Sequence, residues 1–261
     1  MDDNKTIDPE DIEHTLLYID MLGFAELTQT FRTRVDRHQD HETGFTGSSI
    51  TPIQSQIVGF HTAIDRWVLN ETFLGPVTAM LFSDCAFIDA GNSVAAALLA
   101  QGIMRECIGK RVPVRMGLGR GTFYPLNFST ENAGRVQVSR SRFVGTAVVF
   151  AHAAEQAGGK GMRIFVHQSV VPDLENRIAR TKLLKLPKAL PAATHEVNYL
   201  YDPTPNGRTP SADDQDRDLT KIVAAMKEPK APLPVRRQYT ETYKALNRMR
   251  QAHGRKPIRF R

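Results

Sequence analysis

The stretch His14-Thr15-Leu16-Leu17-Tyr18-Ile19-Asp20-Met21-Leu22-Gly23-Phe24 decides how the chain is read. Residues 14–20 form an apolar run that ends on an acid, the pattern of a buried strand. Leu22, Gly23 and Phe24 then turn the chain, and a helix is expected from 25 to about 35. A strand-end Asp before a glycine turn sets a carboxylate beside backbone N–H groups, which can hold a phosphate. Taken alone, the commoner reading of Asp20 is a turn residue, since Asp favours such places.

Residues 37–50 are polar with two glycines and read as a loop. Residues 52–70 read as a helix with Ile53, Ile57, Phe60, Ile64 and Trp67 on one face. Residues 77–82 and 85–89 read as a hairpin with Ser83 and Asp84 at its bend, and 93–108 as an apolar helix. Residues 112–119 alternate as a strand, which Gly119-Arg120-Gly121 interrupts before 122–124 resumes it. A strand within 135–144, a helix over 145–156, a short strand at 162–166 and a last strand at 194–201 follow. Together these make an α+β sandwich, a mixed β-sheet with helices packed against it. After residue 201 the composition turns to Pro, Asn, Gly and acids. The expected organisation is a domain over 1–201, then a linker and basic helical extension over 202–261 with helices at 218–227 and 238–253.

Composition narrows the function classes. The chain has 261 residues, 41% hydrophobic and 24% charged, enough for a real core. Its two cysteines exclude a disulfide framework and a Cys-rich zinc site. The apolar run at 94–104 is too short to span a bilayer, and the acidic, polar start does not resemble a signal peptide, so a cytoplasmic location is expected. The net charge is +6, yet residues 236–261 alone carry nine basic residues against one acid, Glu241. The body is therefore slightly acidic. Such a tail suits nucleic acid, a membrane surface or an acidic partner, but lacks interleaved aromatics for stacking bases. Nucleic acid is accordingly the less favoured partner.

A second acid, Asp84, joins Asp20 on a neighbouring hairpin. Two such carboxylates can hold a pair of metal ions that clamp a phosphoryl group, and Mg²⁺ or Mn²⁺ suits an oxygen-rich site. The order of elements strengthens this reading. Tyr18-Ile19-Asp20-Met21-Leu22-Gly23-Phe24 resembles the first metal motif of class III nucleotide cyclases, and Phe82-Ser83-Asp84 resembles their second. Val114-Arg115-Met116-Gly117-Leu118-Gly119-Arg120-Gly121 resembles their Arg-x-Gly-x-x-x-Gly strand. Phe143-Val144-Gly145-Thr146-Ala147-Val148 aligns with the opening of the catalytic helix, and Met162-Arg163-Ile164-Phe165-Val166 with the strand after it. The resemblance spans roughly residues 14–201. Within the superfamily the wording is closest to the pyrimidine (uridylate or cytidylate) cyclases of Pycsar antiphage systems.

That resemblance implies a homodimer with interfacial active sites and two Mn²⁺ or Mg²⁺ ions per site. It implies that Asp20, Asp84 and the Met21 carbonyl hold the metals, while the amides of Leu22, Gly23 and Phe24 cradle phosphates. It implies a cyclic UMP or cyclic CMP product read by a separate effector. Purine cyclases read adenine with a Lys and an acid, where this chain has Met80 and Arg142. Met is a weak acceptor and Arg only donates, so the pair argues against ATP and for UTP ahead of CTP, since uracil offers two carbonyls. The family's catalytic-helix Asn and Arg are replaced by Val149 and Ala153. Arg120 is the first candidate for the missing cation, ahead of Arg115, Lys182, Lys185 and Lys188. His152 and Glu155, three apart on one helix, read as a surface pair. Two alternatives stand beside the cyclase. One is a catalytically silent nucleotide-binding and dimerisation module, favoured by Val149 and Ala153. The other is a nucleic-acid-binding protein using the basic tail.

Overall fold

The computed structural model describes residues 13–25, 28, 37–39, 46–48, 52–70, 77–126, 130–133, 136–139, 142–157, 159–179, 182–200, 217, 219–221, 223–224 and 233–258. Most of the helix expected over 25–35 lies outside these residues. Strand β1 runs Glu13–Met21. Its alternation sends Leu17, Ile19 and Met21 to one face of the sheet and Leu16 and Tyr18 to the other, and both sets are buried. A strand covered on both faces reads as a continuous apolar run, which is why residues 14–19 carry little polarity.

Short strands β2 (Arg37–Gln39) and β3 (Thr46–Ser48) pair antiparallel, where the polar composition predicts only a loop. Helix α1 spans Pro52–Asn70, strand β4 Thr78–Leu81 and strand β5 Cys85–Asp89. Helix α2, Ser93–Gly109, is capped by Asn92, whose side chain accepts from the Ala95 N–H at 2.9 Å. Phe60, Ile64 and Trp67 of α1 and most of α2 cover the Leu17/Ile19/Met21 face.

Strand β6 is continuous over Val114–Thr122, which corrects the expectation of a break at Gly119-Arg120-Gly121. The glycines seat a helix instead of ending the strand. Arg115, Gly117, Gly119 and Gly121 share one face by strand parity. Helix α3, Thr146–Gln156, lies on them so closely that a Cβ at Gly119 would sit 2.2 Å from the Ala151 nitrogen. At Gly117 it would sit 2.1 Å from the Ala151 carbonyl oxygen. Between β6 and α3 lie β7 (Tyr124–Leu126), β8 (Thr130–Ala133), β9 (Val136–Ser139) and β10 (Arg142–Val144). Here β10 pairs with β7, and β8 with β9.

Strand β11 (Ile164–Val166) joins β6 in parallel, as a crossover through α3 requires. Helix α4 (Val171–Glu175) and strand β12 (Leu183–Lys185) lie where the sequence predicts no element. Strand β13 covers only His195–Val197 of the run expected over 194–201. The main sheet is seven-stranded and mixed, in the order β12-β13-β11-β6-β1-β5-β4.

Helix α5, Leu233–Ala252, packs on this body. Its Ala245, Leu246 and Met249 are fully buried in the main core. The Gly161 and Met162 N–H groups donate to Gln238 and to the Thr242 hydroxyl at 2.5 and 2.9 Å, and Arg248 pairs with the fully buried Glu196 at 2.7 Å. Part of the basic excess is thus spent on fastening the helix. No described helix is long and apolar enough to cross a membrane.

Candidate active site

Three central strands bring the two predicted carboxylates together. Asp20 sits near the end of β1, opposite Cys85 on β5 and Arg115 on β6. Asp84 occupies the β4–β5 turn, closed by the Phe82 N–H donating to the Cys85 carbonyl at 2.8 Å. The Met21 N–H donates to the Asp84 carbonyl, also at 2.8 Å, and this bond fixes the turn against the strand end. The Ser83 hydroxyl donates to Asp84 Oδ1 at 3.1 Å. The Asp20 carboxylate, in contrast, has no hydrogen bond or ion pair among the described residues, although the residue is only half-exposed.

The cation that faces Asp20 across the ladder is already taken. Arg115 is buried and forms a two-pronged ion pair with Glu155 of α3, which is fully buried. One more Arg115 nitrogen donates to the Gly159 carbonyl at 3.3 Å, and the Gln156 amide donates to the second Glu155 oxygen at 2.6 Å. Glu155 is therefore no surface partner of His152, as its helical spacing suggests; it plugs the end of the glycine seat. The signal for this is legible in hindsight. Ala147, Ala151 and Ala154 mark the buried face of α3, Glu155 lies one turn beyond Ala151, and Arg115 has the parity of the glycines beneath it.

This arrangement gathers negative potential around Asp20, which disfavours the charged form of its carboxyl. Burial, then the Glu155 carboxylate, push its pKa up to about 7 against the pull of Arg115, and Asp84 adds to the rise. Tyr18 is shifted up by burial, then by Asp20, and its hydroxyl bonds the Cys85 thiol. Cys85 is half-buried and also shifted up, first by burial. The ring of Tyr18 packs edge-on to His152 at 5.1 Å, so that histidine leans on the aromatic side of the site.

The other predicted residues fall in different places. The Met21 side chain is buried toward α1 and α2, which leaves its backbone as its route into the site. The Leu22 amide donates to the Pro113 carbonyl at 2.9 Å, so the expected phosphate cradle narrows to the amides of Gly23 and Phe24. Gly23 has φ +78°, a left-handed turn that a side chain would strain. Met80 is buried with Leu16, Tyr18, Phe123 and the partly buried Phe87 and Phe143. Arg142 pairs with Leu126 in the β10–β7 ladder. Arg120 lies opposite Thr15, five ladder positions from Arg115, and pairs with Glu13 at 3.0 Å and Asp173 at 3.8 Å. At about 3.3 Å rise per residue, roughly 16 Å of strand separates it from the carboxylates. Val149 is exposed on α3.

Among the described residues no group of three or more His, Cys, Asp or Glu could hold a metal ion. The donors present fit a hard divalent cation all the same. Two neighbouring carboxylates, one of them unpartnered and charge-frustrated, form an oxygen-only set of the type that takes Mg²⁺ or Mn²⁺ with the remaining positions filled by substrate and water.

Comparison with solved structures places the architecture. The guanylyl cyclase domain of the RhoGC fusion protein from the aquatic fungus Blastocladiella emersonii, in a monomeric double-mutant form, superposes with a TM-score of 0.50 at 15% identity. The match covers 71% of this chain and 93% of that one. The chain has the class III nucleotide cyclase fold. The adenylyl cyclase CyaB from P. aeruginosa is also similar, at TM-score 0.48 and 14% identity over 74% of this chain and 95% of that one. No protein-family model and no curated protein matches the sequence. Within this cyclase fold, Asp20 and Asp84 occupy the strand end and adjoining hairpin turn, and α3 is the helix seated on the glycine strand.

Proposed function

We propose that the protein is a pyrimidine nucleotide cyclase that converts UTP, ahead of CTP, to the 3′,5′-cyclic monophosphate and pyrophosphate. The observation that carries this reading is the juxtaposition of Asp20 and Asp84 across the Met21–Asp84 bond, with the Asp20 carboxylate in no ion pair among the described residues. Met80 and Arg142 at the base-reading positions support a pyrimidine over adenine. The Ile19-Asp20-Met21-Leu22-Gly23-Phe24 and Phe82-Ser83-Asp84 wording supports a role in bacterial antiphage defence, with the cyclic nucleotide read by a separate effector.

In this reading Asp20, Asp84 and the Met21 carbonyl would hold two Mn²⁺ or Mg²⁺ ions, which would supply acidification of the ribose 3′-hydroxyl and neutralisation of the triphosphate. The Gly23 and Phe24 amides receive phosphate oxygens. The 3′-oxygen attacks the α-phosphorus and pyrophosphate leaves on the opposite side. Arg115 is withheld from this chemistry by Glu155. A cation acting on the pentavalent phosphorus must then come from elsewhere, and in a homodimer with interfacial sites Arg120 supplies it to the phosphate held at the carboxylates of the other subunit.

The test is direct. Purified protein with Mn²⁺ is offered ATP, GTP, CTP and UTP separately, and products are resolved by mass. A cyclic UMP peak that disappears in Asp20→Asn and in Asp84→Asn, each with an unchanged circular dichroism spectrum, is the expected result. Full activity in both variants overturns the assignment. A second reading, a silent nucleotide-binding module, is favoured by the exposed Val149 and by Ala153 where the family carries Asn and Arg. It predicts nucleotide binding with no pyrophosphate released.

A further inference from the structure

A cleft of about 540 Å³ opens between α5 and the body, lined by Lys160, Arg163, Lys188, Arg237, Lys244 and Arg248. Among the described residues two carboxylates answer these six cations. Glu241 is bonded to Lys244 at 2.8 Å. Glu196 lies fully buried and accepts from both Arg163, at 2.6 Å, and Arg248, at 2.7 and 3.0 Å. Lys160, Lys188 and Arg237 are exposed and have no carboxylate partner among the described residues. Glu196 engages only one nitrogen of Arg163 and two of Arg248. Both terminal nitrogens of Arg163 and one of Arg248 therefore lack a protein acceptor among the described residues. Arg163 is buried and held in place over the Phe165 ring at 4.4 Å.

Cations of one sign gathered in a concave site focus a positive potential, and pre-positioned guanidinium forks match phosphate oxygens. Leu186, Pro187 and Leu190 add an apolar wall that a planar ring can lie against. The volume is within the ordinary range for a small-molecule site, roughly 300–1,000 Å³. Nucleic-acid strands are held on aromatic stacking platforms, and among the described residues no aromatic side chain lines this cleft.

We propose that the cleft is a second ligand site, for a nucleoside polyphosphate, with the phosphates on Lys160, Arg163, Lys188 and Arg237 and the base against the Leu186–Leu190 wall. It is separate from the carboxylate pair. One hydrogen bond links them, because Gly159 on the rim of the cleft accepts from Arg115, which holds Glu155 beside Asp20.

The test uses the full chain carrying Asp20→Asn and Asp84→Asn, in EDTA, so that the result does not depend on the cyclase reading. Calorimetric titration with inorganic triphosphate, UDP, ADP and inorganic pyrophosphate should give one site per chain, with both nucleotides tighter than pyrophosphate. Adding Lys160→Ala and Arg237→Ala should weaken binding at least tenfold while leaving the urea midpoint unchanged, since both residues are exposed and have no carboxylate partner among the described residues. No binding at about 1 mM ligand overturns the proposal. So does binding that ignores the two substitutions. Steeply salt-dependent binding of single-stranded RNA without nucleotide binding overturns it in favour of a nucleic-acid surface.

Discussion

Gly119→Ala puts the central packing contact to a quantitative test. The new methyl carbon would stand 2.2 Å from the Ala151 nitrogen and 2.6 Å from the Phe150 carbonyl carbon, both backbone atoms of α3. Restoring even a tight contact of about 3.4 Å requires α3 to rise by roughly 1.2 Å, because a helix backbone cannot rotate aside as a side chain can. Overpacking of this type costs about 1–3 kcal/mol, and two backbone contacts place this case near the upper end. With a urea m-value of about 3 kcal/mol/M, the midpoint should fall by about 1 M at unchanged slope. Gly109→Ala is the control. Gly109 ends α2 with nothing within 4 Å of its would-be Cβ. There alanine should be neutral, or raise stability by up to about 1 kcal/mol. Equal midpoints for the two variants would refute the claim that the glycine strand exists to seat α3.

Three further predictions follow from other contacts. Glu155→Leu leaves Arg115 charged and buried, and should cost about 3–5 kcal/mol by chemical denaturation, whereas Arg115→Met with Glu155→Leu should recover most of that loss. His167 is held below its ordinary pKa by burial, so the unfolded chain takes up its proton first as pH falls. Stability should therefore decline below about pH 6.5, and His167→Gln should make melting temperature between pH 7 and 5.5 less steep. Leu246→Ala opens a cavity in the core and should cost about 2–5 kcal/mol. An unchanged melting temperature there would mean that α5 is an appendage.

Much of the site was legible because it is written in local pattern. The apolar run closing on Asp20 and the Ser83-Asp84 bend lie on adjacent strands, so strand order alone brings the acids together. What escaped reading depends on contacts distant in sequence. The glycines of β6 look like a strand break until α3 is laid on them, and Glu155 looks like a surface acid until Arg115, 40 residues away, is found beneath it. The short strands β12 and β13 carry three residues each, too few for alternation to show. The helix α5 begins five residues before the expected 238, because Pro234 sits in its first turn, where a missing N–H costs nothing.

The placement of charge bears on how the proposed cyclase activity can work. By its place in the ladder Arg115 would be an attractive transition-state cation, because it stands opposite Asp20. Its partnership with Glu155 removes it from that role twice over. The pair is neutral as a unit, and breaking it to free the guanidinium would strand a fully buried carboxylate, at a cost comparable to the stabilisation a catalytic cation supplies. Arg120 carries no such penalty, since Glu13 and Asp173 hold it at a half-exposed surface where exchange of partners is inexpensive. Yet it lies some five strand positions from the acids of its own chain. A residue that is free to act but too far away within one subunit is accounted for if the acids it serves belong to another. Mixing Arg120→Ala subunits with Asp84→Asn subunits should then restore activity that neither variant has alone, because one of the two interfacial sites regains both groups. Failure of the mixture to recover any product would exclude Arg120 as the cation supplied across the interface.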